Sequence, residues 1–396
     1  MKIQVVSEYY YPDNFRINDI VAELVSRGIQ VNVLTALPDY SDGRVPEKYK
    51  KFKNRKEVVF GAETVRIHTI ERRTGVKRRA LNYSSFMINS FFYSLFCKKP
   101  KCDSIFVYET SPIFQALPAI IYKKRTKKKL VLYCCDLWPE SLKAWHVKED
   151  SFLYKAVKVY SGWLYRQCDV VAISSRPFKQ YLIDVCGVSS EKIAYLPQHA
   201  EDTYSDIACR FEDNDCIDFL FAGNIGSVQN VDCIIRAIPH IKTEKKFCVH
   251  IVGDGSELEK LISLSEELEI NNKIMFHGRH PLSEMKEFYK KADCFLLTLR
   301  GGDSIGMTLP AKSQGYLCAG KPIVAAIDGA GNEMIKESNC GEAVSAGDFM
   351  ALSELMTKAI EDFDAFKLKG ANGRKFYEEN YSKDIYINNL LKLLTE

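Results

Sequence analysis

The stretch Thr308-Leu309-Pro310-Ala311-Lys312-Ser313-Gln314-Gly315-Tyr316-Leu317-Cys318-Ala319-Gly320-Lys321-Pro322 runs directly into Ile323-Val324-Ala325-Ala326-Ile327. It follows a glycine-rich segment, Arg300-Gly301-Gly302-Asp303-Ser304-Ile305-Gly306. The order is loop, helix, tight turn at Gly320, buried strand. Pro310 is tolerated because the first helical turn has no amide partner to lose. The unpaired amides at that helix N-terminus suit an anion, and Lys312 adds a charge just inside the same turn. This predicts a phosphate site on an α/β unit.

The alternation continues outward in both directions. Strands are expected at 218–222, 247–252, 273–276, 294–298 and 322–327, with helices at 230–240, 256–268, 282–291, 310–319 and 351–362. Earlier in the chain the same pattern predicts strands at 3–6, 31–34, 103–108, 130–134, 169–173 and 193–196. Helices near 80–97, 113–124, 151–167 and 176–186 fall between them. The fold class is α/β, with two Rossmann-like, doubly wound parallel sheets facing a cleft. Residues 1–200 form the first domain, the polar run 201–215 a linker and residues 216–371 the second domain. Residues 372–396 are expected to be a helix packing back on the first domain.

Three expected strands of the second domain end in glycine. Gly223-Asn224-Ile225-Gly226-Ser227 follows the first, Gly253-Asp254-Gly255-Ser256 the second and His277-Gly278-Arg279 the third. Glycine allows positive φ and close backbone approach to a ligand, so these loops and the helix after 308 make one phosphate-and-nucleoside wall. The first strand of the chain leads into Ser7-Glu8-Tyr9-Tyr10-Tyr11-Pro12, without the Gly-x-Gly-x-x-Gly of a dinucleotide site.

Charge is divided between the halves. Residues 1–200 carry 33 Lys and Arg against 19 Asp and Glu, a net +14, whereas residues 201–396 carry 22 against 32, a net −10. The basic residues cluster at 48–56, at Arg72, Arg73, Lys77, Arg78 and Arg79, and at Lys123 to Lys129, which includes Lys127, Lys128 and Lys129. Beside them the segment 85–96, with Phe91 and Phe92, reads as an apolar helix with basic flanks, suited either to an anionic leaflet or to the core; together with the basic clusters it favours a membrane-surface partner. No nucleic-acid partner is expected. The thirteen cysteines are scattered with no Cys-x-x-Cys pair, which implies a reducing compartment. No secretory leader or spanning segment is evident. The expected location is cytoplasmic, peripheral on the inner face of the cell membrane.

These landmarks resemble a bacterial retaining glycosyltransferase of the large family four with the GT-B architecture, in the branch that builds O-antigen, capsule and exopolysaccharide units. Those carrying the resemblance are Tyr9-Tyr10-Tyr11-Pro12-Asp13, Arg27-Gly28, Cys135-Asp136-Leu137-Trp138-Pro139-Glu140-Ser141, the three glycine loops, Ala292-Asp293 and 309–322. The resemblance implies transfer of a sugar from a nucleotide diphosphate sugar, a uridine diphosphate sugar by expectation, to a lipid-linked saccharide acceptor. It implies retention at the anomeric carbon, no metal and no cofactor, with fixed groups stabilising the diphosphate leaving group. Asp213-Asn214-Asp215 lies in the expected linker and is read as solvated. His277 and His280 lack a visible third and fourth metal ligand.

The chain also departs from the family pattern. Asn224 and Gln229 stand where many members carry Arg and Lys, and Met307 and Gly315 stand where they carry a Glu-x7-Glu pair. The phosphate charge is therefore expected to fall to Lys312, Arg279 and the amides of Gly226, Ser227, Thr308 and Leu309, beside Gly223 and Gly253. Gln314 or Asp303 would take over hydroxyl contacts. On the first domain Cys135 replaces the histidine of many relatives, Asp136 is the candidate catalytic carboxylate and Glu140 the second. The competing readings are an epimerase of the same architecture and a non-catalytic sugar-nucleotide-binding protein at the membrane.

Overall fold

The computed structural model describes all residues except Lys98, His146, Ala208, Arg210 and 212–214, and the side chains of Ala144, Asp303 and Ser304 also lie outside the described set. The chain forms two compact units, Met1–Leu196 with Ile387–Glu396, and Pro197–Tyr386.

In the first unit the strands are β1 (Lys2–Val6), β2 (Gln30–Ala36), β3 (Lys56–Val59), β4 (Ala62–Ile67), β5 (Ser104–Glu109), β6 (Lys129–Cys134), β7 (Val170–Ile173) and β8 (Ile193–Tyr195). They form one sheet in the order β3-β4-β2-β1-β5-β6-β7-β8. Every pair is parallel except the β3–β4 hairpin. Ile3, Val5, Val6, Ile105, Phe106, Val107 and Leu130 to Tyr133 are wholly buried, as expected of strands covered on both faces. The helices are α1 (Arg16–Ser26), α2 (Val76–Phe96), α3 (Leu117–Thr126), α4 (Phe152–Gln167) and α5 (Phe178–Asp184). Helix α1 forms because Ile17, Ile20, Val21 and Leu24 recur at helical spacing and bury one stripe. The hairpin was not anticipated within the basic stretch. Its charge is absorbed by pairing, since the buried Arg66 guanidinium meets Glu57 at 2.5 Å and lies over the Tyr49 ring.

The second unit has β9 (Cys216–Ala222), β10 (Lys246–Val252), β11 (Ile274–Gly278), β12 (Cys294–Thr298), β13 (Ile323–Ala326) and β14 (Gly341–Val344). The sheet is wholly parallel, in the order β11-β10-β9-β12-β13-β14. Its helices are α6 (Val231–Ala237), α7 (Leu258–Glu267), α8 (Met285–Lys291), α9 (Asp303–Gly306), α10 (Lys312–Ala319), α11 (Gly329–Ser338), α12 (Phe349–Glu361) and α13 (Phe363–Asn380). Helix α14 (Lys383–Thr395) closes the chain. Phe219, Phe221, Val249 and Ile251 enter the core on one face, and Leu220, Val252, Leu297 and Tyr316 that on the other. Strand order reverses between β9 and β12. Ligands of such sheets sit beyond the carboxyl ends at that point.

Two expected boundaries move. The segment after residue 200 is packed: Tyr204 stacks on Tyr289 with centroids 4.2 Å apart and Ile207 is buried. Aromatic burial outweighs the polarity of its neighbours. Of the Asp213-Asn214-Asp215 triplet, the first two residues lie outside the described set. The expected terminal helix is two helices: α13 belongs to the second unit, and only Ile387–Glu396 is counted with the first, where Arg27 donates to Asn388 Oδ1 at 2.7 Å. Gly370 lets α13 press on the α10 turn, because a Cβ there would lie 2.5 Å from the Gly320 carbonyl oxygen.

Candidate active site

The three glycine loops of the second unit are knitted together by main-chain bonds. Gly223 N–H donates to the Val252 carbonyl at 2.9 Å, Ile225 to Asp254 at 2.9 Å and Gly253 to Gly278 at 2.8 Å. Both Gly223 and Gly253 have φ near the limit open only to glycine, +142° and +148°. A Cβ on Gly253 would fall 1.8 Å from the Gly223 carbonyl oxygen, so glycine is needed here for contact as well as dihedral. Strand β12 closes the other side, with Thr298 Oγ1 donating to the Gln229 carbonyl at 2.7 Å and Arg300 N–H to that of Val228 at 2.8 Å.

Helix α10 starts at Lys312, two residues later than the sequence suggested, with Pro310 in the turn before it. Tyr316 anchors it: its hydroxyl oxygen accepts from the Ala222 N–H at 3.0 Å, and its ring stacks on Phe295 at 4.1 Å. Lys312, one turn earlier on the same helix face, is thereby carried to the Gly223 loop. A Cβ on Gly223 would lie 3.0 Å from Lys312 Nζ, and the ammonium sits 3.6 Å from the centroid of the Phe221 ring. The stem is partly exposed, yet Nζ itself is covered and has no hydrogen-bonding partner. Burial lowers its pKa to about 7. An ammonium buried without a hydrogen-bonding partner, beyond the carboxyl end of a parallel strand, has the chemistry to receive an anion.

The other expected donor contacts divide. Gly223, Asn224, Ser227 and Arg279 are exposed at the loops and Gly226 and Gly253 are half-buried, while Thr308 and Leu309 lie just before α10. The Gly226 amide, however, is taken by Gln229 Oε1 at 3.2 Å, and that oxygen also accepts from Asn224 Nδ2 at 3.0 Å. The Thr308 amide donates to the Ile305 carbonyl. These two amides are therefore spent inside the loops and not aimed at a ligand. Gln314 is buried in α10 with its Oε1 unpartnered, and the Asp303 side chain lies outside the described residues. At Gly315 a Cβ would meet Tyr204 and Tyr289 at 3.3 Å. The aromatic stack fills the room that a carboxylate at 315 would need. Sequence reading missed Lys260 and Arg300, which line a small cavity with Gly226, Ser227 and Glu257.

In the first unit Asp136 follows β6. Ser111 Oγ donates to its Oδ2 at 2.9 Å and accepts from Trp138 Nε1 at 3.2 Å, which fixes the loop. Burial raises the Asp136 pKa and the Ser111 bonds oppose it. Glu140 is committed to structure: Tyr154 and Tyr181 hydroxyls donate to Oε1 at 2.5 and 2.8 Å, and Lys143 lies 2.6 Å from Oε2. Burial raises its pKa, but these partners outweigh that and hold it below the usual range. Two buried carboxyls escaped sequence reading. Glu109 ends β5 and Glu8 follows β1, and burial pushes both far above the usual carboxylate range, with Asp136 adding to the first and Asp39 to the second. Nothing in the residue type separates a buried Glu from a solvated one; only its place at a strand end could have flagged it.

The basic and apolar features of the first unit adjoin one another. Helix α2 exposes Leu81, Ile88, Phe92, Leu95 and Phe96, while Phe91 is half-buried against Phe92. Arg125 caps the same helix by donating to the Ser94 and Cys97 carbonyls. Lys123, Lys124, Lys127, Lys128 and Lys129 line an open cleft with Asp169. Arg78 is exposed and Arg79 half-buried at the start of α2. Among the described residues no helix is long and apolar enough to cross a membrane.

Two Rossmann-like units in one chain are the architecture of the GT-B class of glycosyltransferases. The chain belongs to that class through both units: the family model described as "Glycosyltransferase Family 4" matches residues 15–198, and "Glycosyl transferases group 1" matches 210–376. Among curated relatives, "Probable glycosyltransferase WbjE" of Pseudomonas aeruginosa is 26% identical over 270 residues, covering 65% of this chain and 66% of that protein. "Putative colanic acid biosynthesis glycosyl transferase WcaI" of Escherichia coli is 25% identical over 341 residues, covering 81% and 82%. In fold, the chain is similar to Anabaena HepE, solved in complex with UDP, with a TM-score of 0.70 at 13% identity over all of both chains.

Proposed function

We propose that this glycosyltransferase moves a hexosyl or N-acetylhexosaminyl group from a uridine diphosphate sugar to a lipid-linked saccharide, with retention at the anomeric carbon, during synthesis of a bacterial surface polysaccharide. The observation that carries the donor half is the buried, unpaired Lys312 ammonium at the Gly223 loop. The names of the curated relatives support the polysaccharide context.

In this reading the diphosphate lies over the loops after β9, β10 and β11. Lys312 and Arg279 take its developing charge as the bond to the sugar breaks, which serves the leaving group without a metal. A charge-assisted contact to Lys312 is worth about 1.5–3 kcal/mol. Asp136 orients the acceptor hydroxyl, with its carboxylate held by Ser111. The exposed α2 face and the cluster Lys127, Lys128 and Lys129 bring the first unit to an anionic membrane surface on the cytoplasmic side.

The test is incubation with a panel of labelled nucleotide sugars and membrane lipid extract. Label transferred from a uridine diphosphate sugar to lipid, with α-donor giving α-product, supports the proposal. A sugar isomerised in solution, or a donor bound and returned unchanged, overturns it in favour of an epimerase or a binding protein.

A further inference from the structure

The opposite half of the second sheet carries a cluster that sugar transfer does not use. Strands β9 and β10 are parallel with Asp218 opposite Cys248 and Leu220 opposite His250. Alternate residues share a face, so Cys216, Asp218, Cys248 and His250 project together. His250 Nε2 lies 3.1 Å from Asp218 Oδ1, and Cys216 Sγ lies 3.8 Å from the same oxygen. Ligand atoms of Asp218, Cys248 and His250 all fall within 4.8 Å of one another, and all four residues are part-exposed.

We propose that this face of β9 and β10 is a binding site for a divalent cation of the zinc class, with Cys216, Asp218, Cys248 and His250 as its ligands. Two sulfurs, one imidazole and one carboxylate suit a borderline-soft, tetrahedral ion and not magnesium or calcium, which take oxygen ligands. A tetrahedral site sets neighbouring donors about 3.5 Å apart; Asp218, Cys248 and His250 already lie within 4.8 Å of one another and Cys216 adjoins Asp218 Oδ1 at 3.8 Å, so side-chain rotation has to draw the four inward. On binding, the two thiols release their protons and the ion displaces the proton between His250 and Asp218.

The surroundings are those of a ligating histidine. The other ring nitrogen, Nδ1, lies 2.9 Å from His277 Nε2. His277 Nε2 is placed to accept the Nδ1 proton of His250. Such a partner fixes the tautomer that points Nε2 at the ion. The Asp218 backbone is fixed too, its N–H donating to Asp293 Oδ2 at 2.9 Å. His277 is the extra residue of β11 at the register shift between Ile251 and Val252 of β10. An ion here would pin β9 and β10 upstream of the Gly223 and Gly253 loops.

The experiment uses the full chain stripped with a chelator and titrated with Co2+. One equivalent should give tetrahedral d–d absorption and a thiolate-to-cobalt band, both lost on adding Zn2+ and unaffected by Mg2+. The Cys216→Ser/Cys248→Ser variant should lose the thiolate band, and His277→Ala should keep it with affinity about ten- to a hundredfold weaker. A second readout needs no variant: Zn2+ should slow iodoacetamide labelling of Cys216 and Cys248, read by peptide mass spectrometry, and leave Cys97 and Cys135 unchanged. No spectral change at one equivalent, a thiolate band that survives in the double variant, or equal labelling with and without Zn2+ overturns the proposal.

Discussion

At the scale of single residues, Lys312 decides most. Its pKa in the fold, about 7, lies below the 10.5 of an unperturbed lysine. Between those values the unfolded chain holds more protons than the folded one, so the stability of the ligand-free protein rises with pH across that window. A bound diphosphate favours the ammonium and raises the pKa again. Binding therefore takes up a proton, and UDP affinity should fall by up to about tenfold per pH unit as pH climbs above 7, measured by calorimetry. A flat affinity from pH 7 to 9 would contradict the assignment. The lysine was legible in the sequence because it stands where a loop enters a helix, and the unpaired amides of a helix N-terminus with a charge beside them suit an anion. Its depressed pKa was not, since that comes from the burial of Nζ in the folded loop packing.

At the scale of elements, the loops after β9, β10 and β11 were legible because each needs glycine for a stated reason. Gly253→Ala should cost about 3 kcal/mol in chemical denaturation, combining the strained dihedral with the clash on the Gly223 carbonyl. A variant within 0.5 kcal/mol of the parent, a figure of about the usual surface noise, would mean that the loops do not pack this way. The missing Glu pair was also legible, but not its cause. Tyr204 comes from a stretch whose acidic neighbours looked like linker, and it fills the space at Gly315. The β3–β4 hairpin hid in a basic run for a similar reason, since Arg66 becomes a buried pairing residue only once Tyr49 and Glu57 surround it. For the basic cluster beside α2, Lys127→Glu/Lys128→Glu/Lys129→Glu should weaken binding to phosphatidylserine vesicles on the order of 100-fold in a flotation assay, at about 1 kcal/mol per charge. Unchanged flotation would assign the cluster to solubility.

At the scale of the whole molecule, the charge division matches the proposed division of labour: the basic half is the one proposed to meet a membrane, and the acidic half the one proposed to hold the nucleotide with a few buried, local charges. All the donor residues proposed here fall within Pro197–Tyr386, a continuous unit with its own sheet and two cores. That unit expressed alone should bind UDP within about threefold of the full chain, because the contacts that set affinity are local to it. Loss of binding in a folded fragment would place part of the nucleotide site elsewhere. The two-sheet fold could be read from alternation alone, whereas the path of the last helices could not. Helical periodicity is the same in α13 and α14, and close glycine contacts such as Gly370 on Gly320 decide which unit α13 joins.

In the function proposed above, the Lys312 ammonium is a phosphate anchor kept at a cost to the fold. Calorimetry with UDP at pH 7, alongside thermal unfolding, on the parent and Lys312→Met tests it most directly. Affinity should be at least about tenfold weaker in the variant and the unfolding temperature higher, since a buried unpaired charge has been replaced by a side chain of similar shape. A variant that binds UDP as tightly as the parent would contradict it.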